Sequence, residues 1–200
     1  MNIWFMADPH FGHENLVLGV TKWEGRTEQC RKFKTLEEHD ATLVNNINDV
    51  VGQDDILYCI GDWAMGGKEN VYNFRKRLVC SNIHLVLGNH DMHIAKNTII
   101  QTDEGYKNIQ SLFTSVTQIL EKKIGGIKMI LCHYPFRTWH GSGRGSYMLY
   151  GHVHGGLVKE DEKNQFKTMD VGIDTHPEFR PYHLEEVKGL LENKNNLNHH

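Results

Sequence analysis

Apolar residues in this chain come in short dense runs, separated by stretches where they recur every three or four positions. Residues 2–7, 56–60 and 83–87 are such runs and predict buried strands. Between the first two, Leu36, Leu43, Val44, Ile47 and Val51 follow helical spacing. Thr35, with Glu38 three residues on, gives that helix a capping-box start. A second helix over about residues 70–78 places Val71, Phe74 and Leu78 on one face. The first half thus alternates strand and helix, the pattern of an α/β fold. In the second half, residues 117–124 and 127–133 flank Gly125-Gly126, a two-residue hairpin signal. Residues 146–150 and 166–173 predict further strands with a polar loop, 159–165, between them, and 184–191 a closing helix. Residues 92–116, the least distinct stretch, are read as helical. One domain over residues 1–200 is expected, with a mixed sheet or two facing sheets and helices outside.

The polar residues gather where these strands end. Asp8-Pro9-His10 follows the first run, Gly61-Asp62 the second and Gly88-Asn89-His90-Asp91 the third. His133 closes the fourth, and Gly151-His152-Val153-His154 follows the fifth. Five successive strands therefore deliver carboxylate, imidazole or amide groups at their carboxyl ends, where open α/β sheets bind ligands. Carboxylate with imidazole and no thiolate suits manganese, iron or zinc better than a cysteine-held structural site. The spacing Asp-x-His and His-x-His brings both side chains to one side if the segment is extended. Glycines before Asp62, Asn89 and His152 allow sharp turns and close approach.

Composition narrows the choice of partner. A net charge of -3 disfavours a protein that tracks nucleic acid by bulk charge, although a local basic patch is compatible with it. Fourteen histidines in 200 residues is a large excess, with His199 and His200 either native or the remnant of a tag. The opening MNIWFMADPH is too short an apolar run for a secretory signal, and no stretch approaches the roughly 18 apolar residues of a membrane span. Cys30, Cys59, Cys80 and Cys132 lie far apart and read as reduced thiols, so a cytoplasmic protein without a membrane partner is expected. Nothing in the sequence indicates an oligomeric state.

The ordered set Asp8-Pro9-His10, Gly61-Asp62, Gly88-Asn89-His90-Asp91, His133 and Gly151-His152-Val153-His154 resembles the calcineurin-like metallophosphoesterase superfamily. The run from Asp8 to Leu16, DPHFGHENL, also resembles a small bacterial and phage branch that carries His-Phe-Gly-His-x-Asn. The resemblance implies a four-layer α/β/β/α sandwich with mixed sheets. It further implies two divalent ions, manganese first, with iron, zinc, nickel or cobalt also accepted. One would be held by Asp8, His10, Asp62 and His154, the other by Asp62, Asn89, His133 and His152, with Asp62 bridging. His90 would face the substrate, and Asp91 would orient an imidazole from behind.

Two divalent ions roughly 3.5–4 Å apart can share a water and make it hydroxide near neutral pH. In-line attack of that hydroxide on a phosphate ester, with Asp62 and His90 as catalytic residues and His90 protonating the leaving oxygen, is the expected reaction. The substrate would be a phosphomonoester or phosphodiester, nucleotides included. His13, Asn89, Arg137 and His140, with Asn15 and Arg144 nearby, are the candidate substrate contacts. Trp139 and Tyr147 are better read as core, and Arg75-Lys76-Arg77 as a solvated helix face. Two rival functions are a catalytically idle partner-binding module and a nuclease acting on nucleic-acid ends. The intact ligand set argues against the first and the net charge against the second.

Overall fold

A computed structural model describes residues 1–17 and 31–197. In chain order these form β1 (Ile3–Met6), α1 (Glu14–Val17), α2 (Leu36–Val50), β2 (Ile56–Ile60), α3 (Lys68–Arg77), β3 (Asn82–Val86) and α4 (Met92–Ala95). There follow β4 (Ile99–Thr102), β5 (Gly105–Asn108), β6 (Ser115–Thr117), β7 (Ile119–Ile124), β8 (Ile127–Cys132) and β9 (Tyr147–Tyr150). The chain continues through α5 (Val158–Asn164), β10 (Thr168–Asp170), β11 (Tyr182–His183) and α6 (Leu184–Leu191).

Two mixed sheets carry the fold, in the orders β11-β1-β2-β3-β6 and β10-β9-β8-β7, and β4-β5 forms a separate ribbon. In the first sheet β1, β2, β3 and β6 run parallel and β11 antiparallel. Alternate residues explain why the strands read as continuous apolar runs. Phe5, Tyr58, Ile60 and Val86 face Met129, Leu131, Tyr147 and Leu149 of the second sheet. Trp4, Met6, Leu57, Cys59, Ile83 and Leu85 pack on the other side against Leu43, Val44 and Ile47 of α2 and Val71 and Phe74 of α3. Strands buried on both faces need no polar alternation. On the far side of the second sheet, Ile130, Cys132, Met148 and Tyr150 pack with Trp139, Phe136 and Leu157. The arrangement is the expected mixed α/β sandwich, with a thin outer layer on the second sheet, because α5 buries none of its residues. Leu184, Val187 and Leu191 of α6 instead enter the core between the sheets.

Several local expectations are corrected. Residues 92–116 are mostly not helical: after the four-residue α4 comes the β4–β5 hairpin, where Gly105 turns with φ 104° and the Thr102 hydroxyl donates to its carbonyl at 2.8 Å. Residues 159–165, expected as a loop, are largely α5, opened by Glu160 and Asp161 in its first turn and closed by left-handed Gln165. The 166–173 strand shrinks to β10, and the two-residue β11 is too short to leave a periodic signal. The capping box at α2 is half formed. Thr35 Oγ1 accepts the Glu38 N–H at 3.1 Å, but the Glu38 carboxylate takes the Lys34 N–H. Gly125 and Gly126 both have positive φ, as a primed hairpin turn requires. Among the described residues no helix is long and apolar enough to cross a membrane. Cys59, Cys80 and Cys132 are buried free thiols; Cys30, His199 and His200 lie outside the described residues.

Candidate metal centre

The carboxyl ends of β1, β2, β3, β8 and β9 converge, although β4 to β7 intervene between β3 and β8, so the five strands are not consecutive. Asp8, His10, Asp62, His152 and His154 all hold positive φ, between 47° and 73°. The segments Asp8–His10 and His152–His154 are therefore not extended, and the expected strand alternation is not what aligns their side chains. Left-handed backbone at non-glycine residues is costly and survives only where surrounding structure enforces it. Part of that enforcement is a short continuation of the β1–β2 ladder: Asp8, His10 and Phe11 N–H groups donate to Gly61, Asp62 and Trp63 carbonyls at 3.1, 3.0 and 3.3 Å. Gly88 and Gly151 allow close approach. A Cβ on Gly88 would lie 2.2 Å from Asp62 Oδ1, and one on Gly151 2.5 Å from Asp8 Oδ2.

Two clusters result, Asp8–His10–His154 and Asp62–His133–His152, each with ligand-type atoms within 4.8 Å of one another. Each carboxylate has one oxygen fixed by a backbone N–H. Asp8 Oδ2 accepts the His152 N–H and Asp62 Oδ1 the His90 N–H, both at 2.8 Å. Asp62 Oδ2 then faces His10 Nε2 at 3.5 Å and His133 Nε2 at 3.4 Å, so one oxygen looks into both clusters. Asn89 Oδ1 lies 3.0 Å from the same His133 nitrogen.

These groups fit divalent cations. Among the described residues, buried Asp8 Oδ1, His10 Nδ1 and His10 Nε2 have no hydrogen-bond partner. A buried polar atom left unpaired costs roughly 1–3 kcal/mol, which a cation would offset. Ligand atoms about 2.0–2.2 Å from one ion are roughly 3.0–3.5 Å apart, and the spacings from Asp62 Oδ2 to His10 and His133 sit near that range. Burial keeps His10 well below its usual range, which leaves it a neutral ligand. Burial also pushes the Asp8 carboxyl up to about 7, against the pull of His154 and His133. For Asp62 burial acts in the same direction, but the His133 hydrogen bond, the His133 charge and the His90 N–H hold it well below the carboxylate range.

Behind the clusters the structure reassigns one support and adds two. Among the described residues, Asp91 faces no imidazole. Its carboxylate accepts the backbone N–H groups of Asp62 (2.9 Å), Trp63 (2.9 Å) and Gly88 (2.8 Å), tying the loop after β2 to the loop after β3. The carboxylate that does face an imidazole is Asp174, whose Oδ2 accepts from His154 Nδ1 at 2.7 Å. Its partner is the buried Arg31, with Nε–Oδ1 at 2.8 Å. Burial works against the Asp174 charge, and Arg31 with His154 overcomes it, holding the carboxyl well below its usual range. Sequence reasoning missed both residues, since neither lies in a ligand motif.

The predicted substrate contacts separate. His90, 41% exposed, has its Nε2 4.0 Å from Asp62 Oδ2 and forms part of the wall of a cavity of about 160 Å³ with Met65, Met92 and Ile94. The His13 ring centre lies 5.1 Å from that of His10 and 6.4 Å from that of His90, and burial followed by His90 lowers it to about 4. Asn89 is exposed beside His133. His140 is not brought to the clusters. It lies 2.9 Å from both Lys128 and Glu121, and Lys128 is the second residue of β8, roughly 16 Å of strand before His133. Arg137 lines a different cavity, of about 740 Å³, on the outer face of the second sheet with Trp139, Tyr150 and Phe166. Arg144 is exposed in a short 3-10 turn, while Trp139 and Tyr147 are core. Arg75 is a brace rather than a solvated charge, donating to Leu112 O at 2.9 Å.

Known proteins resemble this chain over most of its length. Gene 66 protein of Mycobacterium phage D29 is 24% identical over 205 residues, covering 95% of this chain and 96% of the phage protein. An uncharacterized protein of Methanocaldococcus jannaschii is 25% identical over 195 residues, covering 95% and 91%. The crystal structure of a protein of unknown function from Aquifex aeolicus shares the fold, with TM-score 0.66 at 19% identity over 94% of this chain and 98% of that one. The family model described as Calcineurin-like phosphoesterase matches residues 1–196, and the chain therefore belongs to the calcineurin-like phosphoesterase family of metal-dependent phosphoester hydrolases.

Proposed function

We propose that this chain hydrolyses a phosphate ester at a dinuclear centre, with Asp8, His10, Asp62 and His154 holding one divalent cation and Asp62, Asn89, His133 and His152 the other. The observation that carries the reading is Asp62 Oδ2, faced by imidazoles of both clusters while its sister oxygen is held by the His90 N–H. Two divalent cations supply an activated water and neutralise the phosphoryl oxygens when bound. Manganese is the first choice among metals that accept His, Asp and Asn donors.

The residues around the ions do the rest. Neutral Asn89 and the imidazoles leave positive charge at the site for an anionic substrate. His13 lies beside His10 and borders the phosphoryl position. His90, at the wall of the small cavity, protonates the departing oxygen, and the alcohol leaves into that cavity. Hydrolysis of 4-nitrophenyl phosphate and of bis(4-nitrophenyl) phosphate by metal-free protein with and without added Mn²⁺, using Asp62→Asn as control, tests the proposal. Turnover that needs Mn²⁺ and is lost in the control supports it; no Mn²⁺-dependent turnover of monoester or diester overturns it.

A further inference from the structure

One buried side chain joins the segment that carries Asp8 and His10 to the carboxylate behind His154. Arg31 Nη1 donates to the Pro9 carbonyl at 2.6 Å, and Nη2 donates to the Asp8 carbonyl. Nε and Nη2 donate to Asp174 Oδ1 and Oδ2 at 2.8 and 2.9 Å, and Asp174 Oδ2 also accepts from His154 Nδ1. Nη1 further reaches His39 Nε2 at 2.9 Å. A guanidinium has no acceptor, so His39 Nε2 accepts and its Nδ1–H is left to donate to Asp40 Oδ1 at 2.8 Å. Asp40 Oδ1 takes the Gly12 N–H at 3.1 Å. The loop bearing Asp8 and His10 is thus held at two carbonyls and one amide by a single polar chain that ends on His154.

The second cluster has supports of its own and meets the first through the His152 N–H that Asp8 Oδ2 accepts at 2.8 Å. His133 Nδ1 donates to the Ile60 carbonyl at 2.9 Å, and Asp62 is fixed by the His90 N–H. Among the described residues, no hydrogen bond of Arg31 or Asp174 reaches Asp62, His133 or His152.

We propose that Arg31 and Asp174 are positioning residues for the first cation subsite alone, so that the two subsites can be uncoupled from behind. The inference rests on the two-cation reading above. Two physical causes support it. A carboxylate on His154 Nδ1 places the proton there and leaves Nε2 as the ligand lone pair. The guanidinium fork matches two carbonyls and a carboxylate at once, which a lysine ammonium cannot do, and it braces the left-handed Asp8 and His10 backbone.

The test is titration of the metal-free full chain with Mn²⁺ alone, reading free Mn²⁺ by electron paramagnetic resonance, with a thermal melt of each metal-free protein alongside. The wild type should bind two Mn²⁺. Asp174→Asn and Arg31→Lys should keep one near wild-type affinity and bind the other about 10–100-fold more weakly. Should Asp174→Asn fail to fold, Arg31→Lys, which retains the charge, decides. A folded variant that binds both ions as the wild type does, whatever its melting temperature, overturns the proposal, as does equal weakening of both. A wild type that binds no Mn²⁺ overturns the two-cation reading itself, and this inference with it.

Discussion

Asp62 accepts the backbone N–H of His90 on Oδ1 at 2.8 Å, and that bond turns its Oδ2 toward both clusters. Asp62→Asn keeps an acceptor for His90 but removes the charge that two cations would share. Mn²⁺-dependent hydrolysis of a nitrophenyl diester should fall by about 10²-fold or more, with the far-ultraviolet circular dichroism unchanged. Activity within a few-fold of the wild type would rule out the bridging role.

The exposed His90 ring, 4.0 Å from Asp62 Oδ2, has reach toward a leaving group without being needed by the ions. His90→Ala should slow alkyl esters by about 10²–10⁴-fold, the usual worth of general acid catalysis, and nitrophenyl esters far less. A poor leaving group needs the proton and nitrophenolate does not. Equal losses on the two substrate types would remove His90 from that role.

Asp91 serves three backbone donors, so its loss is a matter of stability. Asp91→Ala strands the N–H groups of Asp62, Trp63 and Gly88 in a buried setting, at about 1–3 kcal/mol each if water cannot reach them. Urea denaturation should show a loss of roughly 3 kcal/mol or more. An unchanged midpoint would mean that solvent replaces the carboxylate.

Asp55 ties the starts of β1 and β2 together, accepting from Asn2 N–H (2.6 Å), Gly52 N–H (3.1 Å) and the Trp4 indole (3.1 Å). Burial opposes its charge, but these donors, led by the Asn2 amide, lower the carboxyl to about 2. The folded-state value lies below the unfolded one, so the stabilisation is fully present above the ordinary carboxylate range and is lost as pH falls toward about 2. It amounts to something on the order of 2 kcal/mol. In denaturant titrations across acid pH, the gap between wild type and Asp55→Asn should be constant near neutrality and close on acidification. A gap that persists at the acid end contradicts this account.

Much of the scaffold was legible because its signals are local. The run at residues 56–60, the helix begun by Thr35 and the Gly125-Gly126 turn each depend on period or turn chemistry within a few residues, and the structure has them at or within a residue or two of the expected bounds. Residues 99–108 misled, because a polar, half-exposed ribbon has little apolar periodicity to read.

By itself the sequence determined which chemical groups stand at the strand ends, and the glycines at 61, 88 and 151 that let them crowd together. The family follows from that ordered set. Only the tertiary structure decided how the groups are held. The left-handed backbone at Asp8, His10, Asp62, His152 and His154 is imposed by neighbours, against local preference. Arg31 and Asp174 are 143 residues apart, and no local pattern encodes a pairing at that separation. His140 shows the converse, a histidine seven residues after His133 that the segment following β8 carries back beside Lys128 at the start of that strand. Side-chain chemistry is written residue by residue, whereas the partners that orient it are chosen by the packing of distant segments.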